Sequence, residues 1–149
     1  MSEKEMRGFE DLECYQLGRK VFQEAYRVAS LLPSEEKYNL ADQLRRASAS
    51  IVLNIAEGYG RYHFLDSLRF YYIARGSTME VLSGLIACDD LKYTRDEIDQ
   101  QRELCHSALR SLNGYIRYVR GQQQGRQEYG ERAVKEDAPT YTLSDLPSE

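Results

Sequence analysis

The chain has 149 residues, 42% of them hydrophobic and 30% charged, which is enough for one domain with its own core. A net charge of -4 excludes nucleic-acid binding driven by bulk charge, so any such surface must be local. Three scattered cysteines, Cys14, Cys88 and Cys105, exclude a disulfide framework and a structural zinc site and read as reduced core residues. No apolar run reaches the roughly eighteen residues of a membrane-crossing helix, and the charged start, Met1 to Gly8, has no apolar signal region. These features predict a cytoplasmic protein with no membrane role.

Residues 1–8 read as an N-terminal arm, 9–121 as a helical bundle and 122–149 as a polar, acidic tail. The first helix is predicted from about Phe9 to Leu32, with Leu12, Tyr15, Phe22, Tyr26 and Ala29 as one stripe and Leu17, Val21, Val28 and Leu32 beside it. Pro33 breaks it. Ser34, Glu35 and Glu36 bring a capping hydroxyl and negative charge to the start of a second helix ending near Gly58 and Gly60. Its inner stripe is Leu40, Leu44, Ala47, Ile51, Asn54 and Gly58, with small neighbours Ala41, Ser48 and Ala49 that admit close helix approach.

A third helix is predicted from about Phe64 to Asp90, with Leu65, Leu68, Tyr72, Arg75, Met79, Leu82 and Ile86 as its seam. Thr94 and Glu97 have capping-box spacing for a fourth helix, whose buried face is Ile98, Cys105, Leu109, Leu112, Ile116 and Val119 and whose stop is Gly121. Four helices of similar length joined by short turns predict an all-α, antiparallel up-down-up-down four-helix bundle. Beyond it the tail carries three basic and six acidic residues, and Tyr141, Leu143 and Leu146 in it could dock on a neighbouring subunit or partner.

The chemistry-bearing candidates are few. Glu103 and His106 supply half of a di-iron Glu-x-x-His pattern, and no second pair exists, so no metal or cofactor is expected. Arg102 with His106, and Arg61 with His63, are spaced too closely for the arginine–histidine pattern of RNA-cleaving helical bundles. No phosphate loop or nucleophile elbow occurs. With no catalytic constellation, neither an enzyme nor a small-molecule substrate is expected.

On the fourth helix Arg102, His106, Arg110, Arg117 and Arg120 share an arc of about 80°, a basic ridge diluted by Asp99 and Glu103 and suited to RNA. Arg45, Arg46 and Arg61 extend the candidate set. Glu24, Arg46, Arg75 and Glu80 fall at similar heights along antiparallel helices, where opposite charges would fix register, as would Asn54 in a seam. Tyr71 and Tyr72 are adjacent and cannot both face one core, which makes them candidate subunit-interface anchors.

Four ordered motifs carry a family resemblance: Phe9-Glu10-Asp11-Leu12, Gln43-Leu44-Arg45-Arg46-Ala47, Asn54-Ile55-Ala56-Glu57-Gly58-Tyr59-Gly60-Arg61 and Phe70-Tyr71-Tyr72-Ile73-Ala74-Arg75-Gly76-Ser77. From about Phe9 to Arg120 the chain resembles the four-helix bundle proteins encoded in intervening sequences of bacterial 23S ribosomal RNA genes. Val52 and Leu53 stand where that family usually has proline and serine. The resemblance implies a homopentamer, related to the accessory protein of diversity-generating retroelements that binds RNA and reverse transcriptase, and it brings no catalytic residues. The expected function is an RNA- or ribonucleoprotein-associated adaptor; the alternative is a protein-interaction scaffold with no nucleic-acid role.

Overall fold

In the computed structural model, residues 8–61, 63–95 and 98–122 are described, the side chain of Phe64 apart. Four helices make the fold: α1 (Glu13–Leu31), α2 (Leu40–Tyr59), α3 (Phe64–Asp90) and α4 (Asp99–Arg120). There is no strand among the described residues. Each helix packs on its neighbours in chain order and α4 closes back on α1, so the four surround one core. No described helix is long and apolar enough to cross a membrane.

Helix starts depart from the sequence expectation, and local hydrogen bonds show why. The first turn, Gly8–Asp11, is a 3-10 turn, so α1 proper begins at Glu13. Ser34–Glu36 is also a 3-10 turn, and Glu36 rather than Ser34 caps α2. Glu36 Oε2 accepts from the Leu40 amide at 3.2 Å and from Asn39 Nδ2 at 3.1 Å, while its Oε1 accepts from the Tyr93 hydroxyl at 3.0 Å. One carboxylate thus caps a helix and ties it to the turn after α3. Thr94 does not cap α4: its hydroxyl donates to Asp89 Oδ1 at 3.2 Å and α4 starts only at Asp99. Glu97, the other half of the predicted box, lies outside the described residues.

The buried stripes of α1 and α3 are displaced from the bulkiest ones. On α1 the core takes Cys14, Gly18, Val21, Ala25, Val28 and Ala29, while Tyr26 is 41% exposed. On α3 it takes Ser67, Leu68, Tyr71, Ala74, Ser77, Thr78, Val81, Leu82, Leu85 and Cys88; of the predicted seam only Leu68 and Leu82 are buried, and Met79 is exposed. Small residues line the contacts because the helices approach closely: a Cβ on Gly18 would sit 3.1 Å from Ile51 Cγ2. The α2 and α4 faces follow the sequence better, with Leu44, Ala47, Ile51 and Gly58, and Ile98, Cys105, Leu112, Ile116 and Val119, buried.

Asn54 works through a relay. Its Nδ2 donates to the Ser50 carbonyl at 2.8 Å and to Ser50 Oγ at 3.0 Å, and Ser77 Oγ on α3 donates to the same Ser50 Oγ at 2.8 Å. Removing the shared hydroxyl in Ser50→Ala leaves the buried Ser77 hydroxyl without its acceptor, an expected loss of about 1–3 kcal/mol. Adding Ser77→Ala costs little more, because both changes delete one interaction. Urea unfolding of the three variants checks this; strictly additive losses contradict the relay.

Candidate nucleic-acid interface

Burial of Cys105, Ala108, Leu112, Asn113, Ile116 and Val119 fixes how α4 is rolled and brings its arginines out along the margin of the core. Arg102 and Arg120 are half-buried, and Arg102 Nε and Arg120 Nη1 have no hydrogen-bond partner among the described residues. Arg110 Nη2 donates to Glu103 Oε1 at 2.8 Å and to Ser107 Oγ at 3.0 Å, and Arg110 beside it holds the Glu103 carboxyl below its ordinary value. His106 and Arg117 are exposed, and Arg117 makes no ion pair among the described residues. Arg117 and Arg120 occupy the last turn, where the helix dipole favours cations. From Arg102 to Arg120 the edge runs about 27 Å.

Arg45, Arg46 and Arg61 do not join this edge, because α2 packs along α1 and α3 rather than α4. Arg46 pairs with Asp42 at 3.5 Å and Arg45 is half-buried. Arg61 bonds Glu57 at 2.6 Å and its guanidinium lies 4.8 Å from the Phe70 ring centroid. Arg69, which the sequence did not single out, approaches the same ring at 5.4 Å. Its only sequence signal is adjacency to Phe70. The basic candidates therefore fall in three places: the α4 edge, the turn between α2 and α3 with Arg61 and Arg69, and the first turns of α2 with Arg45 and Arg46.

The charges expected to fix register do not meet. Glu24 is paired with Arg27 and Arg46 with Asp42, each one turn away on its own helix, and Glu80 is exposed without an ion pair among the described residues. Neighbours at three and four positions satisfy these groups before a facing helix can. Arg75 is half-buried, its guanidinium 5.5 Å from the Tyr72 ring centroid and its Nη1 without a hydrogen-bond partner among the described residues.

Tyr71, expected at a subunit interface, is a core residue at 1% exposure. Its hydroxyl donates to Tyr115 at 3.5 Å and the two rings pack edge-on with centroids 5.0 Å apart. Burial, and then the bond to Tyr115, push the Tyr71 pKa up. Tyr72 is half-buried on the rim.

No group of three or more His, Cys, Asp or Glu side chains able to hold a metal occurs among the described residues. Cys14, Cys88 and Cys105 are free thiols inside the bundle; burial pushes Cys14 and Cys105 up to about 11 and raises Cys88. A cavity of about 800 Å³ opens between the end of α1 and the start of α4, lined among others by Glu24, Arg27, Tyr93, Arg95 and Asp99. Tyr141, Leu143 and Leu146 of the tail lie outside the described residues.

The family model of the 23S rRNA-intervening sequence protein matches residues 10–114, from the turn before α1 into the last two turns of α4. No curated protein matches the chain.

Proposed function

The chain belongs to the 23S rRNA-intervening sequence protein family, and from that premise we propose a non-enzymatic adaptor that works in the cytoplasm. In this reading its helices run up-down-up-down, copies assemble into five-membered rings, and the α4 edge holds structured RNA or an RNA-processing partner such as a reverse transcriptase. It takes no cofactor, metal or small-molecule substrate.

The observation that carries it is the supply of unused donors on one helix edge. Among the described residues Arg117 is exposed and makes no ion pair, and Arg102 Nε and Arg120 Nη1 find no acceptor. A guanidinium forks onto phosphate and stacks on unpaired bases, so such an edge suits RNA. Neutralising about three phosphates gives a log–log salt slope near -2.7, so raising salt from about 50 to 200 mM weakens binding roughly 40-fold. Anisotropy titration of the full chain with a structured 23S ribosomal RNA fragment measures this. Arg110→Glu with Arg117→Glu is expected to abolish most of the salt-sensitive retention. Absence of such retention in the parent chain, with no change in the double variant, removes the RNA role. The scaffold alternative draws on exposed Leu53, Ile73, Met79 and Tyr118. It predicts a protein partner retained after nuclease treatment.

A further inference from the structure

Two stripes on adjacent helices face away from the core, their charged members meeting only near neighbours in sequence among the described residues. On α3 the stripe is Arg69, Ile73, Gly76 and Glu80, all exposed. Gly76 sits within a 27-residue helix, and a Cβ placed there meets nothing within 4 Å. A helical glycine costs roughly 1 kcal/mol against alanine, and no contact among the described residues requires one here. On α2 the stripe is Arg46, Leu53 and Glu57, with half-buried Ala49 and Ala56 beside Leu53, which is 66% exposed.

The two stripes are in register. Ser77 bonds Ser50, and Gly58 abuts Tyr71, so higher numbers on α2 lie beside lower numbers on α3. Glu57 therefore shares its end of the bundle with Arg69, and Arg46 shares the other end with Glu80. Each pair of charges spans 11 positions, about 16 Å of helix. A second copy laid alongside with its axis in the same direction brings Glu57 to Arg69 and Arg46 to Glu80, with Leu53 between them at the level of Ile73 and Gly76. The local pairs of Glu57 with Arg61 and of Arg46 with Asp42 leave a second carboxylate oxygen and further guanidinium N–H groups for a neighbour.

We propose that the α3 face centred on Gly76 receives the α2 stripe of a second copy of this chain, with Leu53 entering the gap over Gly76 between two intermolecular ion pairs. This rests on the self-assembly reading above. The occupant is another copy because each stripe carries one charge of each sign at matching spacing, whereas RNA calls for positive charge alone. The two surfaces differ, so the contact is head-to-tail and repeats. The outer edges of neighbouring helices in a four-helix bundle point about 90° apart, so a turn of about 90° per subunit closes a small ring.

Native mass spectrometry and light scattering on the full chain test this. Gly76→Leu fills the gap from an exposed position where an added Cβ meets nothing within 4 Å, and is expected to shift the assembly to monomers with unchanged helical circular dichroism. Glu57→Arg and Arg69→Glu each weaken assembly at least tenfold, and the two reversals together restore it. A parent chain that is monomeric at tens of micromolar defeats the self-assembly reading itself. An oligomeric parent whose mass is unaffected by Gly76→Leu and by both single reversals overturns this interface and leaves self-assembly standing.

Discussion

Gly58→Ala is expected to destabilise the bundle by about 3 kcal/mol, a fall in melting temperature of about 12 °C. A Cβ at this position would sit 2.6 Å from Tyr71 Cε1 and 3.0 Å from the Ser67 carbonyl oxygen. Neither can retreat cheaply. The Ser67 oxygen is helix backbone, and the Tyr71 ring is buried at 1% exposure and packed edge-on against Tyr115. Other helical glycines set the scale. At Gly84 the added Cβ meets only a side-chain methyl, Leu44 Cδ2 at 2.9 Å, but Leu44 is itself buried at 1% exposure, so Gly84→Ala is expected to fall between Gly58→Ala and Gly114→Ala, costing about 1 kcal/mol after the gain in helix propensity. At Gly114 nothing lies within 4 Å, and Gly114→Ala is expected to stabilise by up to about 1 kcal/mol. Thermal melts of the three variants give the ranking, and a Gly58→Ala protein as stable as Gly114→Ala contradicts the close approach of α2 and α3.

The same closeness explains which parts of the fold were legible in the sequence. The limits of α3, Phe64–Asp90, and the end of α4 before Gly121 follow from proline-free periodicity and a glycine stop, both local signals. The buried stripes of α1 and α3 were harder to read, because a search for the bulkiest stripe selects Tyr26 or Met79, whereas the helices approach along Gly18, Ala25, Ala74 and Ser77. Large side chains then wrap the rim. Periodicity reports that a helix has an apolar side but not how near its neighbour comes. On the candidate interface, the α4 arginines could be found because one helix carries them all. The Arg61–Phe70–Arg69 cluster joins residues across a turn, and the supposed charge layer of Glu24, Arg46, Arg75 and Glu80 gave way to i,i+3 and i,i+4 partners. Glu36 escaped notice as a cap because its three donors come from two separate turns.

Stability is expected to hold level from pH 7 to 8 and to fall steeply above pH 9. Cys14 and Cys105 ordinarily ionise at 9.0, and burial pushes each to about 11 in the fold. Burial raises Tyr71 and Tyr115 above their ordinary 10.0 as well. Between the ordinary and the raised values the unfolded chain has released these protons and the native chain still holds them. The native state then binds more protons, so the free energy of unfolding drops as pH rises; the full stability is present below about pH 9. Each thiol accounts for up to about 3 kcal/mol across that window, against a total of about 5–15 kcal/mol for a domain of this size. Urea midpoints between pH 7 and 10.5 report the fall, and Cys105→Ala is expected to flatten it by removing one buried acid, at the cost of a lower plateau from the cavity it leaves. A midpoint that stays level to pH 10.5 would mean that these groups ionise as readily in the fold as in water, and that the bundle interior is wet where the helices are packed most closely.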